Sequence, residues 1–252
     1  MIFLIGTQGS GTSWVRDCFS QVCRAAALQE LHLLELYERI SQHVRSYTDQ
    51  SEEEALVTIR KVSAAAWRAL LDGVQPGVEL SKNTYPGTSA LAPLRPDLHP
   101  YAVRLVREVI SDAQTVIVVR DPRAAFCATV NYLNHYRPNW GGSVDPVEFA
   151  QAWQLQNTIW LNDRPTAFFK YEDLKQNFIG TLTTVFASCG IACSSEVFSR
   201  IVAQEYTPRN GEPGHHSDSV DGFSAQLKPS VIRQIEGAAE NLMTFLDYRT
   251  LS

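Results

Sequence analysis

Apolar positions along the chain fall into a few runs whose period changes from one to the next. The first, Ile2 to Ile5, is continuous; it breaks into Gly6, Gly9, Ser10 and Gly11 and resumes with helical spacing at Trp14, Val15, Cys18 and Phe19. That change of period predicts a strand, a glycine-rich loop and a helix. Ser51 to Leu71 predicts a second helix, with Glu52, Glu53 and Glu54 in its first turn and Val62, Ala66, Trp67, Leu70 and Leu71 as its apolar stripe, ending at Asp72-Gly73. Val78 to Ser81 predicts a short strand, and Tyr85-Pro86-Gly87 opens a loop holding Pro86, Pro93, Pro96 and Pro100, a suitable place for ligand contacts. Thr115 to Val119 reads T-V-I-V-V, the near-continuous β-branched run of a parallel strand covered on both faces, and Arg120-Asp121-Pro122 stands at its C-terminal end. Ala167 to Tyr171 predicts a further strand, followed by the helix start Glu172-Asp173-Leu174 and an amphipathic segment to Cys189-Gly190. Thr207 to Gly222 is polar, contains His215 and His216, and reads as a mobile lid before a last helix from Pro229 to Leu246. Strands alternating with helices predict an α/β fold, a central parallel sheet wound on both faces by helices.

Composition narrows this picture. With 252 residues, 44% of them hydrophobic, the chain can bury one substantial core, so a single domain over residues 1–252 is expected. Met1 leads directly into the first strand and no apolar run approaches the roughly 20 residues of a membrane helix, so a soluble, cytoplasmic protein without a membrane partner is expected. The five cysteines form no C-x-x-C pair and read as reduced, packed thiols. A net charge of −5 without a run of lysines or arginines leaves no electrostatic footprint for nucleic acid or a polyanionic acceptor. Anion recognition must therefore be local. No His, Cys and Asp spacing supports a metal site, and the helices could support a homodimer although no segment specifies one.

The loop is where local recognition is written. Backbone N–H groups of a glycine-rich turn, with the helix N-terminus behind them, form a nest for phosphate, and glycine is needed where the backbone must approach the anion. A Walker loop reads G-x-x-x-x-G-K-[ST]; here Gly6 and Gly11 keep the spacing, but Thr12 stands in place of the lysine. The clamp of an NTPase on the β- and γ-phosphates is missing. An arginine at the end of a parallel strand points into the crevice where such sheets bind ligands, and its planar fork suits a phosphate monoester; Arg120 fits that description. The plainer alternative is a surface arginine paired with Asp121, and Asp121 and Pro122 themselves fit a turn.

Four segments, in order across nearly the whole chain, resemble the sulfotransferases that use 3′-phosphoadenosine 5′-phosphosulfate (PAPS). G-T-Q-G-S-G-T-S-W resembles the family's 5′-phosphosulfate loop, V-I-V-V-R-D-P-R its 3′-phosphate motif, F-K-Y-E-D-L its Y-E-D-L strand end, and R-N-G followed by G-F-S-A-Q-L-K-P its terminal segment, with Phe223 where tryptophan is usual. The resemblance implies a P-loop-like fold in which Gly9, Ser10, Gly11, Thr12, Ser13 and Trp14 surround the 5′-phosphosulfate. It also implies that Arg120 holds the 3′-phosphate, with Arg209 as a second candidate. Tyr171 would lie against the adenine, or serve as a core tyrosine. Two departures stand out. Gly9 occupies the loop position where the family carries lysine or arginine, and Ala128 replaces its serine, leaving the Thr129 hydroxyl as a substitute.

Sulfuryl transfer needs in-line positioning, a cation on the bridging oxygen of the leaving group and a base for the acceptor proton. V-E-L-S-K-N-T-Y-P resembles family segments that place Lys82 as the cation, while Thr84 stands where small-molecule members keep a histidine. L-Q-E-L-H-L-L-E resembles the E-x-H-F-F-[DE] segment of carbohydrate members, which implies Glu30 as the base, His32 as the second choice and Glu35 nearby. In an extended conformation Glu30 and His32 share a side; Leu28, Leu31, Leu34 and Leu36 also fit the apolar face of a helix, which would leave Glu30 solvated. The resemblance implies a PAPS-dependent sulfotransferase, with PAP (adenosine 3′,5′-bisphosphate) as product and a hydroxyl or amine on a small neutral or cationic acceptor, such as a bacterial secondary metabolite. The alternatives are a carbohydrate sulfotransferase, a P-loop kinase and a nucleotide-binding module without chemistry.

Overall fold

The computed structural model describes residues 2–23, 33–72, 80–85, 101–136, 143–192, 194, 196–197, 199 and 222–251. Its centre is a four-stranded sheet. Strands β1 (Ile2–Thr7), β2 (Leu80–Tyr85), β3 (Gln114–Val119) and β4 (Ala167–Lys170) stand in the order β2-β1-β3-β4, all pairings parallel. This is the wound parallel sheet that the alternating pattern predicts. The apolar runs of β1 and β3 are continuous because both faces are covered. Phe3, Ile5, Ile117 and Val119 join one core cluster, whereas Ile2, Leu4, Val116 and Val118 join another on the opposite face.

Helices supply both layers. On one face, α1 (Thr12–Cys23) brings Trp14, Val15 and Phe19 against β1, joined by Leu182 and Phe186 of α8 (Phe178–Ser188). On the other face pack α3 (Glu52–Asp72) through Ile59 and Trp67, α4 (Ala102–Val109), α6 (Pro146–Asn162) through Trp153 and Trp160, and the last long helix. The remaining helices are α2 (Leu33–Tyr47), α5 (Pro122–Tyr136), α7 (Tyr171–Gln176), the short α9 (Phe223–Gln226) and α10 (Pro229–Phe245). Ser51 and Glu54 start α3 with a reciprocal pair: the Ser51 N–H donates to Glu54 Oε2 at 2.9 Å, and the Glu54 N–H lies 3.4 Å from Ser51 Oγ.

Several boundaries differ from those the pattern predicts. β2 runs on through Lys82, Asn83 and Thr84 to Tyr85, because every residue from Leu80 to Tyr85 finds a partner on β1, Ile2 through Thr7; ladder pairing overrides the weak strand preference of this polar stretch. Tyr171 leaves β4 and opens α7. The segment after it is two helices, since Asn177 adopts a non-helical φ of −139° and its side chain accepts from the Gly180 N–H, starting α8 afresh. Residues 78–79, the proline-rich loop from 86 and the expected lid at 207–222, apart from Gly222, lie outside the described residues. Among the described residues no helix is long and apolar enough to cross a membrane, and Cys18, Cys127 and Cys189 are buried thiols outside any disulfide. Burial pushes the Cys189 thiol up to about 11.

Candidate active site

In this strand order the chain leaves β1 on one side to reach β2 and returns on the other side as β3, so the sheet has its switch point between β1 and β3. Open parallel sheets bind ligands in the crevice at such a point, beyond the carboxyl ends of the strands. Residues 8–11 follow β1 there, and Arg120 follows β3.

The loop is tightly constrained. Gly9 and Gly11 have φ of +80° and +86°, which favour glycine. A Cβ on Gly9 would stand 2.4 Å from the Ala125 carbonyl oxygen, and one on Gly11 would stand 2.4 Å from the Tyr171 ring. The Ser10 N–H closes the turn onto the Thr7 carbonyl at 3.1 Å. Ser10 and Thr7 are fully buried, and among the described residues neither hydroxyl meets a hydrogen-bond partner. Buried polar groups are normally paired, so these two hydroxyls beside the glycine turn are candidate donors for a ligand oxygen.

Arg120 faces this loop from the end of β3. It is 6% exposed; its guanidinium donates to the Gly9 carbonyl at 2.8 Å and lies 4.4 Å from the centre of the Tyr171 ring. The surface pairing with Asp121 is not what occurs, because Asp121 is turned to Arg123. Asp121 Oδ1 accepts from the Arg123 N–H at 2.9 Å, capping α5, and both carboxylate oxygens take the Arg123 fork at 2.9 and 2.6 Å. Arg123 also reaches Glu236 of α10 at 2.5 Å and lies 4.6 Å over the Phe223 ring. Burial works against the Arg123 charge, but Asp121 and Glu236 outweigh it and raise its pKa. Glu172, the next residue after Tyr171, accepts from the Asp121 N–H at 3.0 Å and from the Tyr248 hydroxyl at 2.9 Å. Burial pushes the Glu172 carboxyl above the usual carboxylate range despite these donors, and burial with Glu172 beside it pushes the Tyr248 phenol well up.

The structure thus brings together the loop residues, Arg120 and Tyr171. Trp14 belongs to the same wall as a packed side chain: it stacks on Phe178 at 5.5 Å, meets the Tyr171 ring edge-on at 5.6 Å, and carries the Lys175 ammonium 5.3 Å over its ring. Thr12 is buried and Ser13 is half-buried in the first turn of α1. Thr129 is fully buried, and its hydroxyl donates to the Ala125 carbonyl at 2.8 Å with the Gln8 carbonyl 3.2 Å away. It braces the loop from behind, with its proton directed to carbonyls. Lys82 sits in β2 opposite Leu4, and Thr84 opposite Gly6. Glu30, His32 and Arg209 lie outside the described residues. Sequence reasoning did not single out Arg123, Trp153, Glu172, Glu236 or Tyr248. Arg123 and Glu172 lie in quoted motifs, which do not disclose their inward contacts, and Trp153, Glu236 and Tyr248 come from distant helices and the C-terminal tail with no local signal.

The profile of the Sulfotransferase family matches residues 2–195. No curated relative matches the sequence. Among solved structures, the chain is similar to the sulfotransferase domain from the curacin biosynthetic pathway, with a TM-score of 0.58 and 15% identity over 99% of this chain and 98% of that one. It is also similar to the sulfotransferase domain of the Synechococcus PCC 7002 olefin synthase, with a TM-score of 0.55 and 14% identity over 96% of this chain and 94% of that one. Mouse sulfotransferase SULT7A1 complexed with PAP aligns with a TM-score of 0.59 and 12% identity over 96% of this chain and 84% of that one. At these identities the likeness concerns the fold.

Proposed function

The chain belongs to the sulfotransferase family, and from that premise we propose that it moves a sulfuryl group from PAPS to a hydroxyl or amine of a small neutral or cationic acceptor. The observation that carries the nucleotide part is the meeting of the Gly9–Gly11 turn with Arg120 at the switch point, two anion-binding devices on opposite sides of one crevice. A relative of this fold complexed with PAP supports the same nucleotide. In this reading the loop amides with Ser10, Thr12 and Ser13 bind the 5′-phosphosulfate, Arg120 binds the 3′-phosphate, and Tyr171 backs the guanidinium. The acceptor oxygen or nitrogen attacks sulfur while the bond from sulfur to the bridging oxygen breaks. Lys82 stabilises the charge developing on that oxygen, and Glu30, or His32 beside it, takes the acceptor proton. A positioned base contributes about 10²–10⁴ in rate.

The acceptor class follows from charge. Sulfating a polyanionic chain calls for a basic groove, whereas this protein has a net charge of −5 and brings Glu30 and Glu35 to the acceptor side in the family resemblance. The test is thermal stabilisation by PAP beside ATP with magnesium. At about 100 times the dissociation constant a ligand adds roughly 2.7 kcal/mol to the folded state. Selective stabilisation by PAP is expected, followed by turnover in a PAPS screen of amines and alcohols. Stabilisation by ATP with magnesium alone would overturn the reading in favour of a kinase, and PAP binding without turnover on any acceptor would favour a binding module.

A further inference from the structure

The peptide that joins Arg120 to Asp121 is held from both sides. Its carbonyl, on Arg120, accepts from the Trp153 indole N–H at 3.1 Å, and its N–H, on Asp121, donates to Glu172 Oε1 at 3.0 Å. The second oxygen of Glu172 accepts from the Tyr248 hydroxyl at 2.9 Å, and the Tyr248 ring meets the Trp153 ring edge-on with centroids 6.4 Å apart. Four contacts therefore close a ring around one peptide plane. It draws on α6, the end of β3, the start of α7 and the C-terminal tail. Trp153 is 0% and Glu172 7% exposed, so water does not compete strongly with these bonds. Lys170 ties the tail to the same place, donating to the Leu246 carbonyl at 3.1 Å with its ammonium 5.4 Å from the centre of the Tyr248 ring.

A peptide plane fixed in this way fixes the ψ of the residue before it, and with that the direction in which its side chain leaves the backbone. For Arg120 that direction matters, because a guanidinium binds a phosphate well only when its fork is presented in plane. A buried carboxylate near an anion-binding arginine can compete with the ligand for that arginine. Here both Glu172 oxygens are engaged, one by a backbone N–H and one by a phenol, so the carboxylate is held by the clamp.

We infer that Glu172, with Trp153 and Tyr248, forms a peptide clamp that aims Arg120, so that Glu172 is a positioning residue for recognition of the nucleotide 3′-phosphate and the C-terminal tail is coupled to the nucleotide site through Tyr248. The inference rests on the nucleotide reading proposed above. It predicts selective rather than general damage. Loosening the clamp lowers affinity for a nucleotide carrying a 3′-phosphate and spares one that lacks it, because the loop that holds the 5′-phosphate keeps its own turn, closed by the Ser10 N–H on the Thr7 carbonyl and braced by Thr129.

The test compares dissociation constants for PAP and for adenosine 5′-monophosphate by calorimetry. Wild type is expected to prefer PAP. Glu172→Met is expected to lose tenfold or more in PAP affinity with less than a twofold change for the monophosphate, and Glu172→Gln, which keeps an acceptor for the Asp121 N–H, is expected to stay within threefold of wild type for both. Equal losses for the two ligands, or no loss for either, would overturn the clamp. Should Glu172→Met fail to fold, Tyr248→Phe removes a single hydroxyl from a half-buried ring and is expected to lower the preference for PAP about threefold; an unchanged preference overturns the coupling. A wild-type protein that shows no preference for PAP would instead sink the nucleotide reading, and the clamp's purpose with it.

Discussion

The two walls of the crevice solve the same problem, holding an anion, by opposite means. The loop wall is backbone and hydroxyl: two glycines at positive φ and a buried Ser10 hydroxyl that meets no partner among the described residues. The strand-end wall is charge and side chain, with Arg120 on Tyr171, Asp121 on Arg123, Arg123 on Glu236 and Glu172 on Tyr248. The first wall leaves the Ser10 hydroxyl uncommitted to any described partner and depends on steric fit. The second commits nearly everything to internal partners and depends on their geometry. Damage to the loop should therefore appear first as strain, and damage to the strand end as lost affinity.

The sharpest way to break that contrast is to give the loop the cation that the family resemblance leads one to expect at Gly9. Gly9→Lys puts a side chain at φ +80°, with its Cβ 2.4 Å from the Ala125 carbonyl oxygen and 3.1 Å from Thr129 Oγ1. Left-handed backbone costs about 1–2 kcal/mol for a residue with a Cβ, and overpacking adds roughly 1–3 kcal/mol. A loss of about 3 kcal/mol in unfolding free energy is expected by denaturant titration, with no gain in PAP affinity. A stable Gly9→Lys protein that binds PAP more tightly would show that the loop is adaptable and its missing lysine an accident. On the other wall, Arg120→Ala should leave PAP about 100-fold weaker, roughly 2.8 kcal/mol, while affinity for adenosine 5′-monophosphate falls far less. Equal weakening of both nucleotides would mean that Arg120 serves the loop, through its bond to Gly9, more than the 3′-phosphate.

Ser10→Ala separates stability from binding in a single residue. Removing a buried hydroxyl that lacks a protein partner should leave unfolding free energy within about 0.5 kcal/mol of wild type or slightly above it, since no hydrogen bond within the protein is lost. PAP affinity should fall about 5–10-fold, the roughly 1–1.5 kcal/mol of one hydrogen bond. If stability falls instead, Ser10 is part of the fold and the loop wall is less open than its buried hydroxyls imply.

The same contrast explains what the sequence reveals and what it hides. β1, the glycine turn, β3 and Arg120 are legible because their signals are local: a continuous apolar run, glycines where φ is positive, and an arginine at a strand end. α3 and α10 are legible from their stripes and first-turn residues, to within one residue. The last four residues of β2 are not, since Lys82, Asn83, Thr84 and Tyr85 carry no strand pattern and owe their conformation to the β1 ladder. Trp153, Glu236 and Tyr248 read as ordinary helix and tail residues. Their roles arise when α6, α10 and the tail pack beside residues 120–123, more than 30 positions away in each case. In Glu172 the motif Y-E-D-L marks the position without disclosing that the carboxylate turns inward to a backbone N–H.

That inward carboxylate gives the smallest effect and the finest test of the comparison. Burial raises the Glu172 pKa in the folded protein, so between its ordinary value and the raised one the native state holds more proton than the unfolded chain. Stability then falls as pH rises through that window, because the slope of unfolding free energy with pH follows the protons bound by the unfolded state minus those bound by the native state. Above the window the carboxylate is charged in both states and the slope from this group vanishes. The Asp121 and Tyr248 donors oppose the shift, so the slope from this group is expected to be small beside the effects of the Gly9 and Arg120 substitutions. Unfolding of wild type and Glu172→Gln, followed from pH 4 to 7, should differ in slope only in the lower part of that range, with the variant the flatter. A wild-type curve that instead rises more steeply than the variant there would mean that the donors outweigh burial. Glu172 would then be a stabilised anion, and the strand-end wall would gain stability from its charge as well as its aim.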